Sequence, residues 1–218
     1  MRAAAAPVFW ILLLFAGAGR ADWTRGWISV ALYLAMMAAV GLAVRRYNAP
    51  LMKEREKWRR EDTKPFDKAI MPVLLGLVMI QPLVAGLDAA RFRWSSMPFG
   101  AVYAGAALFV PAVALIAWTL AVNRHAETTV RIQSDRGHSV VTSGPYRAVR
   151  HPMYTGAILM YVATPLVWGS LWALAITGLL IGLLVVRTAL EDRTLRRELA
   201  GYEEYAACTR YRLAPGIW

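Results

Sequence analysis

Long apolar runs alternate with short charged ones along the whole chain. Uncharged stretches extend from Ala3 to Gly19, Trp27 to Val44, Ala69 to Leu87, Met97 to Val122 and Met153 to Val186. A helix rising about 1.5 Å per residue needs roughly 20 residues to cross a bilayer core of about 30 Å, so each of the first four runs predicts one span. The fifth has 34 residues and would reach about 50 Å as a single helix, which predicts a hairpin turning near Pro165, Gly169 and Ser170. Six spans result. The polar interruptions, Arg45 to Lys68, Asn123 to His151 and the tail from Arg187, are each shorter than an ordinary domain of about 50 residues. The pattern therefore predicts an all-α fold, a polytopic integral membrane helical bundle over 1–218. Four N-terminal spans and a basic loop at 45–68 occupy 1–122, and the C-terminal region is 123–218.

Composition narrows the class. The 218 residues are 58% hydrophobic, with mean hydropathy +0.40 and a net charge of +11. A soluble nucleic-acid-binding domain carries its charge on a polar folded surface, and one soluble core of this size does not absorb so much apolar sequence, so both classes are excluded. Once six spans are drawn, 21 of the 25 basic residues fall on one side and only Arg20, Arg25, Arg91 and Arg93 on the other. The positive-inside rule makes the first side cytoplasmic, with both termini there, in an arrangement suited to a bacterial inner membrane. The first run has a second reading: Met1-Arg2, the apolar stretch to Phe15 and Ala16-Gly17-Ala18 also resemble a secretory signal and its cleavage site. Lys53 to Lys64 mixes signs in the manner of an amphipathic surface helix, or equally of a solvated loop. The single cysteine, Cys208, excludes an internal disulfide.

Chemistry is sought where the spans meet the two last polar segments. In Gly144-Pro145-Tyr146-Arg147-Ala148-Val149-Arg150-His151-Pro152-Met153-Tyr154, the Gly-Pro pair is turn chemistry and Pro152 suits the first turn of the next helix. Ser139 to Ser143, just before, is β-prone. Arg150 and His151 are thus placed at a helix N-terminus, whose free N–H groups and dipole predict an electropositive pocket for an anionic group. Past the hairpin, Leu184, Arg187, Thr188, Glu191, Leu195 and Glu198 follow helical spacing and bring Glu191 to the membrane surface, with Asp192 on the neighbouring face. A carboxylate at that depth requires a partner, for which Arg187 is one turn away. Gln81, inside the third span, reads as a helix-packing hydrogen bonder. His125 and His138 lack Cys or acidic neighbours at metal-ligand spacing, so no metal site is expected.

Taken together, Gly144-Pro145-Tyr146, Arg150-His151-Pro152-Met153-Tyr154, an apolar hairpin, Glu191-Asp192 with Leu195, Tyr202 and Tyr205, and a closing Arg212-Leu213-Ala214-Pro215 form a pattern. It resembles the isoprenylcysteine carboxyl methyltransferase and phospholipid methyltransferase superfamily over roughly Val130 to Trp218. The family usually has two glutamates where this chain has Glu191-Asp192. The resemblance implies transfer of a methyl group from S-adenosyl-L-methionine within the membrane, without the soluble dinucleotide-type domain. The sequence agrees, since it carries no Gly-rich strand-to-helix motif of that kind. It further implies a cofactor enclosed by cytoplasmic segments and an acceptor entering from the lipid, either lipophilic or small, and a carboxylate, amine or thiol. On this resemblance Glu191 lies near the cofactor's amino group or ribose, and Arg150 or His151 near its carboxylate. Gly144, Tyr146 and Tyr154 shape the adenosine pocket, and His138, Pro145, Pro152 and Asp192 are further cofactor contacts. Arg150, His151, Glu191 and Arg212 are the candidate catalytic residues, His151 or Glu191 taking a proton from an amine and Arg212 or Arg150 orienting an anionic acceptor. Two other classes remain: an NADPH-dependent membrane reductase of the sterol-reductase type, which carries a similar Arg-His-Pro-x-Tyr segment, and a small non-enzymatic membrane protein.

Overall fold

The computed structural model describes residues 5–57 and 60–218; Met1 to Ala4, including the start of the first apolar run, and Trp58 and Arg59 of the Lys53 to Lys64 segment lie outside the described residues. Everything regular among the described residues is helical. The helices are α1 (Ala5–Ala18), α2 (Thr24–Tyr47), α3 (Ala49–Glu56), α4 (Pro65–Ala85, continuing as a wider π-helical stretch over Gly86–Phe92), α5 (Gly100–Val122), α6 (Pro152–Trp168), α7 (Leu171–Glu198) and α8 (Tyr202–Cys208). Four of them, α2, α4 with its π extension, α5 and α7, are long and apolar enough to cross a membrane. Of the six spans expected, these four have that full length among the described residues. α1 has 14 described residues and α6 has 17, about 21 and 25 Å at helical rise, short of a full core. The hairpin is where expected: α6 stops at Trp168, Gly169 takes a left-handed φ of +78° and α7 begins at Leu171.

Contacts divide the chain into two compact units. The first comprises residues 1–37, 72–111 and 158–183. Its core joins Trp10, Leu14, Trp23, Val30, Ala85, Trp168 and Ala173. Small residues set the helix spacing here, because a Cβ on Gly17 would fall 2.2 Å from the Leu83 carbonyl oxygen and one on Gly86 2.4 Å from that of Leu14. Gln81 packs helices as expected, donating to Ala173 O (3.1 Å) and Thr177 Oγ1 (2.8 Å).

The second unit comprises 38–71, 112–157 and 184–218. Asn48 satisfies the carbonyls that end α5, donating to Leu120 O (2.7 Å) and Asn123 O (3.0 Å), beside a core of Val44, Leu51, Leu120 and Ala126. The surface helix expected over Lys53 to Lys64 does not extend that far: α3 ends at Glu56. Part of its mixed charge is paired within the protein. Glu54 pairs with Lys57 and Arg60, Arg55 donates to Ala126 O (2.7 Å), and Asp62 receives Arg131 (2.8 Å). Ser139 to Ser143 is irregular, since none of the described residues offers it a strand to pair with.

Candidate active site

The Gly144 to Tyr154 stretch enters this second unit through a tight turn. Gly144 sits at φ +59°, and a Cβ there would lie 3.0 Å from Trp118 Nε1, so both backbone conformation and room require glycine. One short 3-10 turn, Gly144–Arg147, leads to α6, which starts at Pro152 as expected. The open anion site expected at that helix start is not formed. The N–H groups of Arg150 and His151 donate to Tyr211 O and Arg212 O, both at 2.9 Å, and Thr155 Oγ1 donates to Leu213 O (2.7 Å). Carbonyls of the segment after α8 thus occupy the two N–H groups just before α6. The Arg150 side chain is likewise committed, with Nη1 on Thr209 O (2.8 Å) and Arg210 O (2.7 Å) and Nε and Nη2 on Asp192 (2.7 and 3.2 Å).

Adjacent residues on a helix point about 100° apart, and the two acids of α7 accordingly do different things. Asp192, 1% exposed, accepts not only from Arg150 but from Arg196 Nε (3.2 Å), Arg212 Nε (3.1 Å) and Tyr202 Oη (3.0 Å), with His151 Nε2 at 3.4 Å. Glu191 takes part in no ion pair among the described residues; it accepts a hydrogen bond from Tyr154 Oη (2.5 Å). The expected Arg187 to Glu191 pairing is replaced by a buried one: Arg187 donates to Asp67 (2.7 and 3.2 Å) and Thr128 O (2.9 Å), and lies over the Tyr154 ring at 5.2 Å. Asp67 also accepts the Val130 N–H (2.7 Å). Tyr154 is thereby wedged between Arg187 and the parallel ring of His151, 5.8 Å away.

Six of the expected site residues, His138, Tyr146, Arg150, His151, Tyr154 and Glu191, line one pocket. Gly144, Pro145, Pro152, Asp192 and Arg212 do not line it; they hold the residues that do, and Arg212 in turn lies over the Trp218 ring at 4.6 Å. The free space is about 90 Å³, the room of a few waters. Several lining residues carried no site signal in the sequence: Asn123, His125, Glu127, Arg131, Gln133 and Arg187. Each arginine on the wall has its acid. Arg131 is bound by Glu127, Asp62 and Asp135, all at 2.8 Å, Arg187 by Asp67 and Arg150 by Asp192.

Two histidines face each other across the pocket wall, ring centroids 4.6 Å apart. His125 accepts at Nε2 from Arg124 (3.0 Å), so its proton is on Nδ1, toward Gln133 Oε1 (3.2 Å). His138 Nδ1 accepts the Gln133 N–H (3.3 Å). Burial lowers the pKa of both; His138, further opposed by His125 and Arg131, falls to about 4. Both are neutral at pH 7. Burial pushes the Tyr205 hydroxyl up to about 12 and Tyr146 higher still, so these rings are uncharged, with Tyr146 Oη accepting from Asn123 Nδ2 (2.6 Å) and Tyr205 Oη donating to Tyr146 O (2.7 Å).

The pocket is built from α5's end, the segment after it and helices α6 to α8. Residues 101–200 match the family model of the phospholipid methyltransferases. This stretch of the chain is similar to that family. The match takes in α5 and the whole polar segment after it, which the sequence pattern alone, read from Val130 onward, did not tie to the family; it stops short of α8 and Arg212. No curated protein matches the chain.

Proposed function

We propose that the protein is an S-adenosyl-L-methionine-dependent methyltransferase working at the cytoplasmic membrane face on a lipophilic or small acceptor, with the site in the 123–218 region. The observation that carries this reading is Glu191: within the family-matched stretch, it is the pocket carboxylate that no arginine or lysine holds. A half-buried carboxylate in no ion pair suits a cationic or hydroxyl-rich ligand. The neutral histidine pair suits it too, since neither ring repels positive charge. A nicotinamide cofactor with phosphates would need free basic groups, whereas Arg131, Arg150 and Arg187 are all spent on carboxylates. That favours the methyltransferase over the reductase.

S-Adenosyl-L-methionine supplies, when bound, a methyl group on a positively charged sulfonium for in-line displacement. The chain's part is alignment and exclusion of water. Glu191, held in place by Tyr154 Oη, accepts from the ligand's ammonium or ribose hydroxyls. Tyr146, Tyr154, Tyr202 and Tyr205 provide ring surface for the adenosine. Asp192 fixes Arg150 and His151, and so the start of α6, beneath it. For an amine acceptor, His151 or Glu191 receives the proton; a carboxylate or thiolate needs no base. Because the free space is about 90 Å³, a nucleoside-sized ligand opens the pocket as it enters.

The decisive experiment is equilibrium binding of radiolabelled S-adenosyl-L-methionine to detergent-purified protein, competed with S-adenosylhomocysteine and, separately, NADPH. Saturable binding displaced by S-adenosylhomocysteine alone is expected. Retention of NADPH instead would transfer the pocket to reductase chemistry.

A further inference from the structure

A second pocket lies in the other compact unit, where nothing in the methyl-transfer reading reaches. Its cavity of about 440 Å³ is lined by Arg20, Arg25 and Arg93 together with Asp22, Met97 and Trp168. The positive charge is largely unspent. Asp22, the one carboxylate on the wall, is tied to Arg20 by two hydrogen bonds of 2.6 Å. Asp88, behind the wall, has one oxygen occupied by Ser95, Ser170 and the Trp172 N–H and the other without a partner. Arg25 donates through Nη2 to Met97 O (2.7 Å) while its Nη1, buried, meets no acceptor; the indole N–H of Trp168, also buried, has none either. Arg93 makes no ion pair or side-chain hydrogen bond among the described residues.

Arg93 is conspicuous for another reason. It is the one non-glycine among the described residues with a left-handed backbone, φ +54°, closing the π-helical end of α4 with its N–H on Asp88 O. That position ordinarily takes glycine, because a side chain there is strained. Here the strained site holds a guanidinium at the mouth of an already basic pocket. Around it, Trp27, Phe92, Trp94, Phe99 and Trp172 are each about half or more exposed, in the manner of an aromatic belt at headgroup depth. The same connections carry the four basic residues that the charge count assigns to the non-cytoplasmic side.

We propose that the pocket between the Arg20–Arg25 turn and the Arg93–Phe99 connection holds the phosphate of an anionic phospholipid headgroup. Arg25 and Arg93, the two guanidiniums that no carboxylate takes, disfavour a cationic ligand, and the exposed aromatic surround commits the phosphate to a lipid rather than to a free anion. The cavity is large enough for a headgroup. This site is independent of the methyl-transfer proposal.

The test is native mass spectrometry of the detergent-purified protein titrated with phosphatidylglycerol, with phosphatidylcholine, and with inorganic phosphate as competitor. A saturable phosphatidylglycerol adduct is expected, weakened about fivefold in Arg93→Gln and in Arg25→Gln but unchanged in Arg45→Gln, an arginine of the other unit. Since Arg25 also holds the Met97 carbonyl, Arg93→Gln, with its exposed and unpartnered side chain, keeps the test valid if Arg25→Gln fails to fold. Equal adducts in wild type and Arg93→Gln, or equal loss in Arg45→Gln, would reduce the lipid to a nonspecific annulus and overturn the site. Displacement by millimolar inorganic phosphate would assign a small-anion site and overturn the lipid.

Discussion

Glu191 and Asp192 are neighbours in sequence and opposites in role, and their substitutions separate accordingly. Glu191→Gln keeps the shape and the Tyr154 contact but removes the charge offered to a ligand, so affinity for S-adenosyl-L-methionine should fall about tenfold or more while thermal unfolding in detergent is little changed. Asp192→Asn leaves Arg150 buried without its counter-ion, and stability should drop by roughly 3–5 kcal/mol, read as a lower unfolding temperature. His138 gives a pH signature. Its folded pKa of about 4 lies below the unfolded value of 6.5, so the unfolded chain binds the extra proton first. Stability is therefore full above about pH 6.5 and declines toward pH 4, at most about 1.4 kcal/mol per pH unit from this group. Melting curves of wild type and His138→Gln at pH 7.5 and 5.5 should differ by the slope that His138 supplies. From the sequence, Glu191 and Asp192 were visible as a pair, but not which of them would be spent: that depends on Arg150, Tyr202 and Arg212 arriving from three other places in the chain.

At the level of elements, the apolar runs disclosed the hairpin and the starts of α5 to α7 within a few residues, because an uncharged stretch ended by Gly169-Ser170 or begun at Pro152 leaves a helix few options. What the runs could not disclose is how polar segments are spent. The start of α6 looks like a free anion site until the carbonyls of Tyr211 and Arg212 are placed on it, and 45–68 looks like a surface loop until Arg55, Asp62 and Asp67 are paired. The segment 137–143 remains irregular beside a pocket too small for a nucleoside. It is the element expected to move. Saturating S-adenosylhomocysteine should therefore change backbone hydrogen exchange over 137–143 by more than over α5, whose bonds are internal to a long helix.

For the molecule as a whole, the charge asymmetry predicts a single orientation, and Cys208 reports it. As the sole cysteine, exposed on α8, it should react with a membrane-impermeant maleimide in inverted or permeabilised vesicles and remain unlabelled in sealed cells. Labelling of sealed cells would invert the topology and place the candidate active site outside. The division of the chain bears on the same scale. Each compact unit is assembled from three separated stretches, so its contacts are non-local even though nearly every helix is local.

The Asp67 to Arg187 pair spans 120 residues. A chain made from its N-terminus exposes Asp67, at the first turn of α4, long before Arg187 has been synthesised. During that interval a carboxylate that ends up 0% exposed has no counter-ion. The Val130 amide, 63 residues on, is the earlier of its two final partners to emerge. Synthesis thus sets an order of availability: the Val130 amide can reach Asp67 before α7 has been made, and Arg187 completes the contact afterwards.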